Sequence, residues 1–155
     1  MTYRILGLDP TPFAELYGKP DDVLLEAGAR RMIADSKPGF PDRIELRDAE
    51  PGESVILLNF EHQSAATPYR SAHAIFVIEG AETPFERIDE LPSVMATRIM
   101  SLRAFDAMGM MTDAGLASGR DVEPLIERLL AAPETAYLHA HYATRGCYAA
   151  RIERA

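Results

Sequence analysis

The sequence has little of three things that mark familiar functional classes: cysteine, net positive charge and long apolar runs. The single cysteine, Cys147, excludes an internal disulfide and a cysteine-rich zinc site. The formal net charge of -8 disfavours nucleic acid and anionic membranes as partners, because the field of the protein repels phosphate. No apolar run approaches the ~20 residues of a membrane span, and the stretch before Asp9 is too short for a signal peptide. We therefore expect a cytoplasmic protein with no nucleic-acid or membrane partner.

The chain has the length and composition of one ordinary globular domain. Its 155 residues are 47% hydrophobic, which is enough to bury a core without disulfides or metals. No repeat, linker or low-complexity tract interrupts it. The sequence predicts a single domain over residues 1–155, and a homo-oligomer is compatible with it.

Two short apolar runs organise the middle of the chain. Residues 55–58 and 74–78 are apolar on both faces, which predicts two buried central strands. The segment between them is polar, and side chains at strand ends are held rigidly enough to form a site. The polar residues in question are Glu61, His62, Tyr69, Arg70 and His73.

The remaining elements follow from local patterns. Capping residues and apolar periodicity predict helices from Thr11, over 22–27 and from Asp121. Strands are expected at 3–8, 31–34, 43–47, 99–105 and 110–117, with a final hairpin that turns near 144–146. Residues 80–97 look irregular, as a surface crossing or a lid. The predicted fold class is α+β: a single domain with a mostly antiparallel or mixed sheet and two or three helices packed on it.

The same patterns predict which side chains form the core. Both apolar strands and the stripe of the last helix should be covered on the sheet. The residues expected to be nearly fully buried are Val55, Leu57, Ile75, Val77, Leu125 and Leu129.

Five segments carry a resemblance to a known family. They are KPGFPDR (37–43), NFEHQ (59–63), TPYRSAHAIFV (67–77), SLRAFDAMGMM (101–111) and HAHYATRGCYAARIER (139–154). In this order and spacing they resemble the uncharacterised family called domain of unknown function 1203. The resemblance implies a single-domain bacterial protein, and it assigns no activity and no catalytic residue. Members often have a cysteine where this chain has Asp42, so a mechanism that needs a thiol pair with Cys147 is not implied here.

All four histidines lie in two segments, at positions 62, 73, 139 and 141. Period-two geometry places His139 and His141 on one strand face with Tyr137, a spacing that lets two imidazoles reach one metal with His62 or His73 as a third ligand. The competing interpretation is a pair of structural histidines bonded to neighbours. The next carboxylate after His141 is Glu153, so the sequence shows no acidic companion. We therefore predict no metal and no cofactor.

An anion pocket is the second constellation. Arginine offers a planar fork of donors that fits carboxylate or phosphate, and a nearby histidine can exchange a proton. Arg70 could instead be a structural partner of Glu61 or Asp106. Cys147 beside His139 or His141 could act as a thiol nucleophile, but cysteine is more often a packed side chain. The residues predicted to bind the anion are Tyr69, Arg70, Arg103 and Tyr148, and Arg145 could contribute.

These observations support two hypotheses of different kinds. The first is a small cytoplasmic enzyme that binds an anionic small molecule in a cleft of arginine, histidine and tyrosine. Its candidate catalytic residues are His62, His73, His139 and His141. The second is a non-catalytic ligand-binding or protein-interaction module. An enzyme should place a histidine of perturbed pKa at the wall of a deep pocket, whereas a module should present a shallow or apolar face.

Overall fold

The computed structural model describes residues 1–155 and has an α+β architecture with two antiparallel sheets. The helices are short, and none is long and apolar enough to cross a membrane. In chain order the elements are β1 (Tyr3–Leu6), α1 (Thr11–Ala14), α2 (Asp21–Glu26), β2 (Arg30–Ile33), β3 (Ser54–Gln63), β4 (Ser71–Ile78), β5 (Glu86–Ile88), α3 (Ser93–Ala96), β6 (Ile99–Phe105), β7 (Met111–Ser118), a 3₁₀ turn (Gly119–Asp121), α4 (Val122–Ala131), β8 (Tyr137–Tyr142) and β9 (Tyr148–Arg154).

Six strands form the larger sheet, in the order β5-β1-β9-β8-β6-β7, and three form the smaller one, in the order β2-β3-β4. The larger sheet is covered on one face by α4, whose apolar stripe packs into a core of 18 buried residues with Leu138, Ala140 and Ile152 from β8 and β9. A second core of 12 buried residues joins β3 and β4 to α1 and α2. Two separate cores leave the other face of β8 and β9 free to meet the smaller sheet.

The arrangement of the two apolar runs differs from the prediction. Residues 55–58 and 74–78 do form paired strands, but β3 and β4 belong to a separate three-stranded sheet in which β4 is an edge. A run that is apolar on both faces shows that a strand is covered on both sides, and it does not say which sheet holds it. Here the covering comes from the two helices and from the larger sheet.

Two expected core residues are only half-buried. Val55, Ile75, Val77 and Leu129 are at most 1% exposed, as predicted. Leu57 instead lines a cavity between the sheets, and Leu125 packs at the edge of its core beside Gly115. Neither position could be distinguished by periodicity, because a cavity and a core edge both favour apolar side chains.

Two segments depart from their predicted conformation. Residues 43–47 are not a strand, because the Asp42 carboxylate accepts the backbone N–H groups of Ile44 and Glu45 and so closes a local turn. Residues 80–97 are irregular only in part, since they contain β5, which pairs with β1 at the sheet edge, and α3. The pairing of β5 places this part of the segment against the sheet as a surface crossing.

Candidate functional site

The four histidines converge where the two sheets face each other. His62 and His73 come from β3 and β4, and His139 and His141 come from β8. The His62 ring centroid lies 4.7 Å from that of His73, 5.0 Å from that of His141 and 5.8 Å from that of His139. We call these four residues the histidine cluster. It brings together the chain segments 59–73 and 137–148, which are distant in the sequence.

A β-bulge places His62 in the cluster. Glu61 pairs with Ala72 and Gln63 pairs with Ser71, so His62 has no partner across the strands. Bulges bend a strand and redirect a side chain, which lets His62 and Gln63 both reach the larger sheet. His62 stacks on Tyr148, with ring centroids 5.1 Å apart, and the Gln63 amide donates to the Tyr137 hydroxyl at 2.9 Å.

Strand alternation places His139 and His141, as the sequence predicts. Leu138, Ala140 and Tyr142 point into the core on the α4 side, so the two histidines face the smaller sheet. Both are nearly fully buried, at 3% and 1% exposure. The imidazoles are therefore shielded from water although they lie between the sheets and not in a core.

Several ring nitrogens of the cluster are buried without a partner. The His62 Nε2 and His73 Nδ1 atoms are 2.7 Å apart, so one of these rings donates to the other. The His141 Nδ1 atom donates to the carbonyl oxygen of Gly146 at 2.9 Å, which leaves its Nε2 atom unprotonated in the neutral ring and without a partner. The Nδ1 atoms of His62 and His139 also lack partners. The cluster thus has an excess of unpaired nitrogens.

Burial keeps the histidines neutral. Burial, together with the nearby charges of His73 and Arg103, lowers the pKa of His62 to about 4. Burial likewise lowers the pKa of His139 and of His141 to about 3. The pKa of His73 is lowered too, first by burial and then by the charges of Arg103 and Arg43. Neutral imidazole nitrogens can accept a proton or bind a metal.

Arg103 is a cation without an acidic partner on the histidine face of the larger sheet. It lies on β6 directly opposite His139, and its only hydrogen bond is a long one, 3.4 Å from Nε to the hydroxyl of Ser101. No carboxylate pairs with it, and burial lowers its pKa. A half-buried guanidinium without an acidic partner attracts an anion, so the predicted ligand-binding role of Arg103 fits its position.

A cavity of about 450 Å³ adjoins the cluster between the ends of the sheets. We call it the arginine pocket. His73 belongs to both its wall and the histidine cluster. The residues that line the arginine pocket include Arg43, His73, Arg98, Thr144, Arg145 and Cys147.

The arginines of this pocket differ in their partners. Arg43 is 1% exposed and donates to the carbonyls of Pro41 and Tyr148 and to the sulfur of Cys147. Arg98 forms a bidentate pair with the buried Asp48 carboxylate at 2.6 and 3.0 Å. Arg145 is exposed and makes no hydrogen bond or ion pair within the protein. Arg145 is thus the pocket arginine free to bind a ligand.

The other predicted ligand-binding residues lie around the cluster in different ways. Arg70 is a surface residue whose guanidinium is 3.3 Å from the Glu61 carboxylate, the structural pairing that the sequence left open. Tyr69 is partly exposed and reaches the cluster only through Phe105, 6.3 Å between ring centroids. Tyr148 is buried against His62, and burial raises its pKa. The structure brings Tyr148 and Arg103 to the histidines and leaves Arg70 outside the arginine pocket.

Sequence reasoning missed Arg43, Arg98 and Tyr142. The Arg43 and Arg98 guanidiniums lie over the Tyr142 ring, 4.9 and 5.3 Å from its centroid. The signal for Arg43 was present in the KPGFPDR segment (37–43), which is rich in turn residues yet ends in an arginine. No local signal marks Arg98, because its role depends on Asp48 across the fold.

One grouping within the cluster has the spacing of a metal site. His62, His73 and His141 each offer one nitrogen, and these three atoms lie within 4.8 Å of one another. The prediction of no metal rested on two histidines that lack a carboxylate. Three imidazoles are themselves a complete protein ligand set for catalytic zinc, so that premise does not hold for the folded chain.

A family model described as a protein of unknown function (DUF1203) matches residues 39–154. The match includes every residue of the histidine cluster and of the arginine pocket. No curated protein and no solved structure matches the chain.

Proposed function

The chain belongs to the DUF1203 family, and we propose that it is an enzyme that binds an anionic small molecule in the arginine pocket and acts on it with the histidine cluster. The observation that carries the proposal is the position of His73, which lies in the wall of a pocket that also contains the unpaired Arg145. A cytoplasmic location belongs to this proposal, and it is supported by the single free thiol.

The pocket has the size and charge for such a ligand. A volume of about 450 Å³ lies within the range of small-molecule sites. Arg145 offers a fork of donors that no protein acceptor occupies, and such a fork binds carboxylate or phosphate in a bidentate manner. Arg43 and Arg98 add positive charge to the wall although their own donors are engaged. The protein has a formal net charge of -8, so this local excess of positive charge is opposite in sign to the charge of the whole protein.

The histidine cluster supplies the chemistry. An enzyme is expected to place a histidine of perturbed pKa at the wall of a concave site. His73 satisfies this description, since burial lowers its pKa and its ring touches His62. Imidazoles that stay neutral near pH 7 offer nitrogen lone pairs to a proton or to an electrophile beside the bound anion. These features favour an enzyme over an interaction module with a flat apolar face.

Calorimetric titration with citrate, an anionic probe, tests the binding part of the proposal. We expect Arg145→Gln to weaken citrate binding by about tenfold, because a bidentate contact is lost. Arg70→Gln is the matched control, since Arg70 is also an exposed arginine but pairs with Glu61 outside the pocket. It should change the affinity less than twofold. Equal losses in both variants, a larger loss in Arg70→Gln, or no citrate binding by the unmodified protein would overturn the proposal.

A further inference from the structure

We propose that His62, His73 and His141 bind a divalent transition-metal cation, for which Zn²⁺ is the appropriate probe. The inference deepens the proposed function in one respect only, in that it gives the histidine cluster a cofactor. Whether metal binds can be decided without reference to anion binding.

The spacing of the three residues suits a tetrahedral ion after small adjustments. Nitrogens bound to zinc at 2.0–2.1 Å in tetrahedral geometry are ~3.3 Å apart. The His62 and His73 nitrogens at 2.7 Å must therefore separate slightly, and the widest pair of candidate atoms, within 4.8 Å, must close. Rotations about the side-chain bonds of three rings can supply such movements. His73 is half-buried on an edge strand, so it is freer to adjust than His62, which is stacked on Tyr148.

The hydrogen bond of His141 is of the kind that orients a metal ligand. Metal-bound histidines usually donate their other N–H to a carbonyl or carboxylate, which fixes the tautomer and the ring orientation. The His141 Nδ1–H group donates to the carbonyl of Gly146, whose φ of 79° belongs to the tight turn between β8 and β9. The Nε2 atom is then a lone pair that is buried without a partner. A buried acceptor without a donor is costly, and a bound cation removes that cost.

His62 and His73 already bring two ring nitrogens together at this position. Their Nε2 and Nδ1 atoms are 2.7 Å apart, and one of these atoms carries the proton that joins the rings in the metal-free protein. A metal that binds both atoms replaces this contact, and the proton moves to the other nitrogen of the same ring. The Nδ1 atom of His62, which has no protein partner, is not a ligand in this arrangement.

The nature of the ligands selects the class of metal. Three imidazoles without a thiolate or carboxylate suit zinc, copper, nickel or iron, and they do not suit calcium or magnesium, which prefer oxygen. The charged neighbours are Arg103 and Arg43, both positive. They disfavour a bare dication and favour one whose fourth ligand is an anion, such as hydroxide or the bound small molecule. His73 links this position to the arginine pocket.

Metal binding is tested by titrating Zn²⁺ into chelator-treated protein, with competition from a chromogenic chelator. We expect about one Zn²⁺ per chain and a Co²⁺ complex with the intense visible bands of four-coordinate geometry. His73→Gln and His141→Gln should each weaken the affinity at least about tenfold. His73 is the more informative position, because it is only half-buried and its replacement should leave the fold intact.

His139→Gln is the matched control, since it removes an equally buried histidine of the same strand that lies outside the trio. Its zinc affinity should stay within threefold of that of the unmodified protein. Absence of stoichiometric zinc, unchanged affinity in His73→Gln with a native thermal unfolding curve, or an equal loss in His139→Gln would overturn the assignment. Failure of citrate binding alone would overturn the proposed function and leave the metal site standing.

Discussion

The histidine cluster and the arginine pocket lie side by side between the two sheets and share His73. The two regions differ in which hydrogen-bonding groups lack a partner within the protein. The cluster is neutral, with His139 and His141 buried and His62 and His73 half-buried, and its unpaired groups are ring nitrogens, of which the Nε2 atom of His141 is an acceptor. The pocket is positively charged, and its unpaired group is the guanidinium of Arg145, a donor. One region is therefore complementary to a cation and its neighbour is complementary to an anion.

The difference follows from the cost of burying each side chain. Histidine can lose its charge, so a buried histidine needs no counter-ion. Arginine stays charged, so a buried guanidinium needs hydrogen-bond acceptors in the surrounding protein. In the pocket, Arg43 and Arg98 obey this rule through two carbonyls, a thiol and Asp48, and Arg145 is the pocket arginine that remains without acceptors because it is exposed. The comparison makes four predictions, given in order of decreasing effect.

The largest effect should come from the buried pocket arginine. Arg43→Met keeps much of the side-chain volume but leaves the carbonyls of Pro41 and Tyr148 without donors. We expect the free energy of unfolding to fall by about 3–5 kcal/mol. Arg145→Met, at an exposed arginine without contacts, should change it by less than about 0.5 kcal/mol. Urea denaturation of both variants measures the difference, and similar midpoints would contradict the contrast between paired and unpaired pocket arginines.

The second prediction concerns acid and the histidine cluster. The pKa values of His62, His139 and His141 lie at about 4, 3 and 3 in the folded protein, below the ordinary value of 6.5. The unfolded chain therefore binds more protons below pH 6.5. The stability that neutral histidines provide is complete above pH 6.5 and declines as the pH falls towards the folded pKa values, by on the order of 1 kcal/mol per pH unit for each histidine.

Asp42 acts in the opposite direction, because burial raises its pKa to about 6 in the folded protein and it takes up a proton there first. Urea unfolding of metal-free protein between pH 5 and 6.5 should still show a net loss, since three histidines outweigh one carboxyl group. His139→Gln should make the dependence on pH shallower. A flat profile in this window would show that the cluster is solvated.

A smaller effect should follow when Arg98 is released from its partner. Asp48→Asn removes the negative charge that occupies both donors of Arg98 in the pocket wall. We expect citrate affinity to rise about threefold to tenfold, because a second guanidinium becomes available to the anion. The free energy of unfolding should fall by about 1–2 kcal/mol, since a partly buried charge pair is lost. Calorimetric titration of Asp48→Asn and Arg145→Gln with citrate compares a pocket arginine that is released from its partner with one that is removed. Weaker citrate binding by Asp48→Asn would contradict the prediction that Arg98 is kept from the anion by Asp48.

The smallest effect is expected for Arg70→Lys. Arg70 has an exposed side chain and pairs with Glu61 on the surface, a contact of less than about 1 kcal/mol. Both the unfolding midpoint and the citrate affinity should be nearly unchanged. A marked loss of affinity would show that the anion binds at the 59–73 segment and not in the arginine pocket.

Much of the fold was accessible from local patterns. The alternation in β8 predicted the common face of His139 and His141, and the apolar stripe from Val122 correctly indicated α4. What failed was the central position expected for residues 74–78, which form an edge strand, and the strand expected at residues 43–47. These depend on which surfaces cover each strand and on the Asp42 carboxylate, which binds the N–H of Ile78 far along the chain as well as its own turn. Such contacts leave no periodic trace in the sequence.

The sequence by itself determined that the protein is acidic, has one thiol, is α+β and carries all its histidines in two strand-borne segments. Strand period, charge and turn chemistry are local properties, so they can be derived from neighbouring residues. Only the tertiary structure decided that β3 and β4 face β8, that Arg43 and not Arg70 enters the pocket, and that His62, His73 and His141 form one group. These outcomes depend on how two sheets pack and on where a bulge turns one side chain. Packing is settled by the complementary shape and charge of surfaces distant in the chain, not by the order of residues within either.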